Sequence, residues 1–142
     1  MVYLVQTDTT VGFLSDSKEE LAKVKNRPLS LPFITTVSSL KKLKKLKRVP
    51  KNHKKLIRRA KKTTFIFDKK LSIRVIKDKR HKSFVDRFEF IYSSSANEHK
   101  KAFDFDFAMQ KADLVVYDTK EFYNSTPSKM LRVGRTKVKN FR

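Results

Sequence analysis

Residues 33–76 read FITTVSSLKKLKKLKRVPKNHKKLIRRAKKTTFIFDKKLSIRVI. Phe33 to Val37 is β-branched and apolar, the composition of a strand. Ser38 or Ser39 caps a helix that carries Leu40, Leu43 and Leu46 at spacing three, with lysines between them, until Pro50 closes it. Asn52 opens another helix, with Leu56, Ile57 and Ala60 as its apolar side. Thr63 to Phe67 and Leu71 to Ile76 are two further strands, joined by the turn Asp68-Lys69-Lys70. A strand, two amphipathic helices and a strand pair in succession predict an α/β sheet rather than a bundle or a sandwich.

The flanks continue the alternation. Towards the N-terminus, Val2 to Gln6 reads as a short buried strand and Thr7 to Gly12 as a polar turn. Asp16-Ser17 followed by Glu19-Glu20 is a capping signal for a helix to about Lys25. Pro28 and Pro32 bracket a loop. Towards the C-terminus, Phe88 to Tyr92 reads as a strand running into Ser93-Ser94-Ser95-Ala96-Asn97. A helix near Asp104 to Lys111, a strand Leu114 to Tyr117 and a last strand near Met130 to Val133 follow. No internal repeat is visible.

With 142 residues the chain has room for one domain, and its 12 Phe and 4 Tyr can fill a core without Trp. The absence of Cys excludes a disulfide framework and thiolate chemistry. The start lacks the basic and apolar regions of a signal peptide, and no apolar run approaches a membrane span, so a soluble, cytoplasmic protein without a membrane partner is expected.

The net charge is +21, from 35 Lys and Arg against 14 Asp and Glu. Between Leu21 and Phe67 there are 16 basic residues and no acid. Such self-repelling density points to a polyanionic partner. Lys41, Lys42, Lys44, Lys45, Lys47, Arg48, Lys54, Lys55, Arg58, Arg59, Lys61 and Lys62 are the candidate RNA-contacting cations. No aromatic platform interrupts them, which favours structured RNA such as tRNA, read through backbone and shape, over single strands. The leucine stripe is expected to dock on a sheet rather than on a membrane.

His53, His81 and His99 lack metal-ligand spacing, and no metal-binding side-chain set is expected. Asp104 and Asp106 sit where helix-capping acids sit. Two glycines cannot build a nucleophile elbow, a Walker A loop or a dinucleotide fingerprint. What remains is hydroxyls and fixed cations at strand ends, the donor set for a phosphate-bearing ligand.

In their order these patches resemble the YrdC/YciO-like family, whose enzymatic members are threonylcarbamoyl-AMP synthases. Gln6-Thr7-Asp8-Thr9-Thr10-Val11-Gly12 is similar to the family's Pro-Thr-Asp-Thr-Val-Tyr-Gly signature. Lys23-Val24-Lys25-Asn26-Arg27-Pro28 resembles its Lys-x-Arg-Pro element. Thr64-Phe65-Ile66-Phe67 corresponds to its Thr-initiated strand and Ser72-Ile73-Arg74-Val75 to the strand with its central Arg. Ser93-Ser94-Ser95-Ala96-Asn97 matches its Ser-Ala-Asn element, and Leu131-Arg132-Val133-Gly134 its closing Arg-x-Gly. The chain departs from the pattern at Gln6, at Val11, at Ala60-Lys61-Lys62 in place of Pro-Gly-Pro, and at Glu98-His99-Lys100 in place of Ser-Gly.

The resemblance implies a single-domain α/β fold: a twisted sheet, mixed parallel and antiparallel, with flanking helices and a basic concave surface. It sets the domain at residues 1–134, with a basic C-terminal tail at 135–142. It implies a nucleotidyltransferase that joins L-threonine, bicarbonate and ATP into threonylcarbamoyl adenylate, for a downstream transferase acting on tRNA. Lys23, Lys25 and Arg27 would hold the triphosphate, and Thr64, Ser95, Asn97 and Arg132 would surround the nucleotide. Thr9, Arg74, Ser93 and Ser125 would face threonine or its carbamate. Mg²⁺ would arrive with ATP and need no protein cage. The alternative is a non-catalytic module of the same fold that binds nucleotide or double-stranded RNA.

Overall fold

The computed structural model describes residues 1–117 and 121–142. Strand β1 (Val2–Gln6) pairs antiparallel with β2 (Val11–Ser15), Gln6 lying opposite Val11. The polar turn is therefore shorter than expected, because Val11 and Gly12 already belong to β2. All five residues of β2 are buried, so it shows none of the alternation that marks a half-exposed strand. Gly12 sits in close packing. A Cβ at this position would stand 3.0 Å from Thr7 Cγ2 and 3.2 Å from the Ser94 carbonyl of the neighbouring strand.

Helix α1 (Lys18–Lys25) begins as predicted, with the Ser17 side chain accepting from the Glu20 N–H. Glu19 and Glu20 occupy its first turn and Lys23 and Lys25 its last, each sign complementing the helix dipole. Asn26 ends it in the left-handed region at φ 52°, and the Arg27 N–H donates back to the Ala22 carbonyl. That reversal leads into β3 (Ile34–Val37). Helix α2 (Leu40–Leu46) is capped by Ser39, which accepts from the Lys42 N–H. Asn52 does not cap the next helix: it lies inside a 3-10 turn, Lys51–His53, that precedes α3 (Lys54–Arg59). Pro50, with its fixed φ, starts the coil earlier than the polar residue does.

Strands β4 (Thr63–Ile66) and β5 (Ser72–Val75) form the expected hairpin. Helix α4 (Lys79–Val85) follows, capped by Asp78 accepting from the His81 N–H; the sequence reading missed it. Strand β6 spans Ile91–Ser95 rather than 88–92. Phe88 instead joins Tyr3 and Phe84, with ring centroids 5.9 and 5.5 Å away. Helix α5 (Phe105–Lys111), β7 (Leu114–Val115), β8 (Lys129–Val133) and β9 (Val138–Asn140) complete the chain. Within 135–142 the strand Val138–Asn140 thus extends the sheet, and the Met130 N–H donates to the Arg142 carbonyl at 2.8 Å.

The sheet order is β7-β1-β2-β6-β3-β5-β4-β8-β9. β1–β7, β3–β5 and β4–β8 are parallel and the other pairs antiparallel, giving the mixed α/β sheet anticipated. One face is covered by helices: α1 and α5 over Leu4 and Phe13, and α2 and α3 over Val37, Ile73 and Leu131. Leu40, Leu43 and Leu46 belong to this second cluster, so the leucine stripe docks on the sheet. On the other face α4 covers one end, over Leu14, Ile76 and Ile91. Among the described residues no helix is long and apolar enough to cross a membrane.

Candidate functional site

The uncovered part of the second face forms a cleft of about 370 Å³, lined by Thr7, Thr9, Thr10, Arg27, Ser72, Arg74, Ser93, Ser94, Ser95, Ser128, Met130 and Arg142, with Phe33 and prolines at its side. Strand register explains the gathering. Ser93, Ile34 and Ser72 stand in one row across β6, β3 and β5, and Thr36, Arg74, Thr64 and Met130 in the next. Alternation sends Ile73 and Val75 into the helix-covered core and leaves Ser72 and Arg74 for the cleft.

Arg74 is the electrostatic centre. Its guanidinium pairs with Asp8 through NH2 and donates from NH1 to Thr9 Oγ1 at 3.1 Å, while Nε has no partner. Burial and the nearby Arg142 push its pKa down, against the pull of Asp8. A guanidinium remains charged nonetheless. His81 is buried close by, and its pKa is lowered to about 3 by desolvation and then by Arg74, so the ring is neutral.

Arg27 is aimed by its surroundings. NH2 donates to the Pro32 carbonyl at 2.6 Å and the guanidinium carbon lies 4.5 Å from the Phe33 ring centroid. The left-handed cap at Asn26 turns the chain off α1 at the point where this side chain must enter the cleft. Lys25 is different. Its Nζ donates to the carbonyls of Ser95 at 2.5 Å and Asn97 at 2.6 Å, and burial, with Arg27 adding, lowers its pKa to about 8. It braces the turn after β6 from beneath. Asn97 belongs to the same brace: Oδ1 accepts from Ser95 Oγ, and Nδ2 donates to the Glu98 and Lys101 carbonyls at 2.8 Å.

The structure therefore brings together Thr9, Arg27, Arg74, Ser93 and Ser95. Thr64 is fully buried beside them, its Oγ1 2.9 Å from Ser128 Oγ. Ser125 is exposed, but its N–H donates to the Thr9 carbonyl at 2.9 Å. Lys23 is exposed on α1 and does not line the cleft. Arg132 shares the row of Ser72 but sits further out on β8, 5.3 Å from the Phe141 ring, outside the cleft lining.

Sequence reasoning missed Asp8, Ser128 and Arg142. The Arg142 guanidinium donates from Nε and NH2 to the Ser128 carbonyl, at 3.2 and 3.0 Å, and lines the cleft. Its only signal was a charged segment, and β9, which carries it there, was not visible.

The cleft offers hydroxyls and cations. No carboxylate lines it, and Asp8, buried beside it, is engaged by Arg74. Among the described residues no three acidic, His or Cys side chains converge as metal ligands.

The cations of 41–62 lie in the layer on the opposite side of the sheet. Lys42, Lys47 and Lys54 are half-buried, and the other nine candidates are exposed. Lys42 Nζ donates to the Phe88 carbonyl at 2.9 Å and Lys45 pairs with Glu89 at 2.9 Å, so these two tie α2 to the start of β6.

Comparison with known proteins agrees with this fold. The family model Sua5_yciO_yrdC, described as telomere recombination, matches residues 1–142. No curated protein matches. Among solved structures, P. abyssi Sua5 complexed with L-threonine superposes with a TM-score of 0.81 at 16% identity, over 99% of this chain and 49% of that one. E. coli YciO gives 0.79 at 14% identity, over 99% of this chain and 82% of that one. Full-length HypF in a phosphate- and nucleotide-bound form gives 0.80 at 14%, over 99% and 26%. The chain spans about half the length of the Sua5 structure, and at these identities the likeness is one of fold.

Proposed function

The chain belongs to the Sua5, YciO and YrdC family, and from that premise we propose that its cleft binds ATP and L-threonine and forms threonylcarbamoyl adenylate for tRNA modification. The observation that supports this reading is the convergence of three arginines, Arg27, Arg74 and Arg142, with a floor of hydroxyls in one concavity. It is a site for one anionic ligand of nucleotide size with a smaller anion beside it.

The chemistry asks little of side chains. The threonine amine and bicarbonate condense to a carbamate with loss of water. A carbamate oxygen then attacks the α-phosphorus of ATP, arriving as its Mg²⁺ complex. The bond to the β-phosphate oxygen breaks and pyrophosphate leaves with the electron pair. The nucleophile is already an anion, so no general base is required, and the protein's part is positioning and charge neutralisation. Arg27 and Arg142 hold the phosphates. Ser93, Ser95 and Ser128 supply hydroxyl contacts, and Thr64, buried beneath them, holds Ser128 through its Oγ1. Arg74, steadied by Asp8 and Thr9, faces the threonine carboxylate or the carbamate. Lys25 and Asn97 keep the Ser95 turn in place. The mixed anhydride is an activated acyl group and is consumed by a transferase that delivers it to a tRNA adenosine.

A second reading, nucleotide binding without turnover, is favoured by one observation: Asp8 already neutralises Arg74. An assay of pyrophosphate release from ATP separates the two. Release that depends on both threonine and bicarbonate supports the synthase, and ATP binding without release supports the binding module. Arg27→Ala is expected to weaken ATP binding by about 1.5–3 kcal/mol, the cost of losing a charge-assisted partner. Equal affinities by calorimetry would remove Arg27 from the site.

A further inference from the structure

A second concavity, of about 740 Å³, lies away from the cleft, between the α2–α3 connection and the β8–β9 turn. It is lined by Lys47, Arg48, Lys51 and Arg135, with Asn52, Pro50, Phe67, Val133 and Gly134 between them. Its four cations come from two segments far apart in sequence, which the fold brings to the two walls of one groove. No acidic residue lines it. None of the four cations has an ion pair among the described residues, and Arg48, Lys51 and Arg135 are exposed. Val133 lines this groove whereas Ser128 and Met130 line the cleft. Met130 and Val133 are three strand steps of about 3.3 Å apart and face opposite sides of the sheet, so the two concavities lie roughly 10 Å apart along β8 and on different faces.

We propose that this groove seats the phosphodiester backbone of structured RNA, independently of whatever occupies the cleft. Four like charges facing one another across a groove repel unless a polyanion lies between them. The walls present side-chain cations rather than a ring of aromatic platforms, which suits phosphates and not unstacked bases. An anionic membrane suits the groove less well. Leu40, Leu43 and Leu46 of α2 are turned into the sheet, and the one exposed leucine of α2 and α3, Leu56, makes no apolar face to insert. Lys42 and Lys45, tied to the start of β6, are not part of the contact. The cations that matter within 41–62 are therefore Lys47, Arg48 and Lys51, joined by Arg135 from outside that tract. The inference does not rest on the synthase reading, since the groove shares no residue with the cleft.

The test compares tRNA-transcript binding across a salt series for wild type and two fourfold variants. One changes Lys47, Arg48, Lys51 and Arg135 to Gln. The other changes Lys23, Lys79, Lys100 and Lys111 to Gln, removing equal charge from exposed positions that line neither concavity. Each phosphate contact contributes roughly −0.9 to the log–log salt slope on duplex and roughly −0.7 on single strands. The groove variant should lose roughly three units of slope and bind on the order of a hundredfold more weakly at about 0.1 M salt. The control should stay close to wild type, and saturating ATP should not displace the RNA from the wild-type protein. Circular dichroism checks that both variants fold. Equal losses in the two variants would show diffuse charge instead of a groove. Displacement by ATP would put the RNA in the cleft. Loss of pyrophosphate binding with RNA binding intact would make the groove a small-anion site, and loss of binding to anionic vesicles alone a membrane site. Each of these outcomes overturns the proposal.

Discussion

His81 shows what one buried residue does to the pH response of this fold. Its ring is 2% exposed, its Nδ1 has no hydrogen-bond partner, and the groups that face it are Arg74, which opposes a second charge, and Asp78, which favours one. Desolvation and Arg74 win, and the folded pKa is about 3 against 6.5 for the free side chain. Between those values the unfolded chain holds a proton that the folded chain does not. Stability contributed by neutral His81 is therefore complete above about pH 6.5 and is lost as pH falls towards 3, by at most about 1.4 kcal/mol per pH unit. Urea unfolding at pH 7.5 and at pH 5 should lose about 2 kcal/mol in wild type and clearly less in His81→Asn. The same decline in both proteins would mean that other groups control the acid limb.

At the scale of elements, α2 is held with little help from its own charges. Its first turn has no acid and carries Lys41 and Lys42 at the positive end of the helix dipole, so the Ser39 cap and the burial of Leu43 must outweigh them. Ser39→Asp keeps a cap oxygen for the Lys42 N–H and adds a negative charge beside Lys41 and Lys42. It should raise stability by about 0.5 kcal/mol at low salt, with the gain disappearing in high salt and below about pH 4. A loss in denaturant titration at neutral pH would show that the extended Ser39 backbone cannot seat a carboxylate. Such signals decide what the sequence revealed. β1, β3, β4, β5, α1 and α2 were legible because a strand composition or a cap marked each of them. β2 was hidden by burial on both faces, and α4 because His81, Phe84 and Val85 are its only buried residues. The cleft was half legible. Thr9, Arg27, Arg74, Ser93 and Ser95 stand in ordered motifs on elements that could be read. Arg142 depends on β9, a three-residue strand with one apolar side chain, and Asp8 counts only once Arg74 is known to reach it. Lys25 lay inside a motif whose sequence could not tell a ligand contact from a brace.

For the molecule as a whole, a charge of +21 on 142 residues is a standing cost to compactness. The burden falls mainly on one side, since the helical layer of α2 and α3 and the nearby β8–β9 turn hold the densest unpaired cations, while Arg74 in the cleft is neutralised internally. Salt should therefore stabilise the free protein, the reverse of what a fold held by surface ion pairs would show. Raising sodium chloride from about 0.02 to 0.5 M should raise Tm by several degrees, at about 4 °C for each kcal/mol of relieved repulsion. The groove substitutions at Lys47, Arg48, Lys51 and Arg135 should act in the same direction. With four fewer cations the variant should melt higher than wild type at low salt and respond less to added salt, though it binds RNA more weakly. RNA should in turn raise the Tm of wild type at low salt by mass action, and that of the variant much less. Scanning calorimetry at two salt concentrations, with and without tRNA, measures all three effects. A wild-type Tm that falls with salt would show that the few ion pairs outweigh the repulsion. A groove variant that melts lower than wild type at low salt would show that these four side chains hold the fold together instead of waiting for a polyanion.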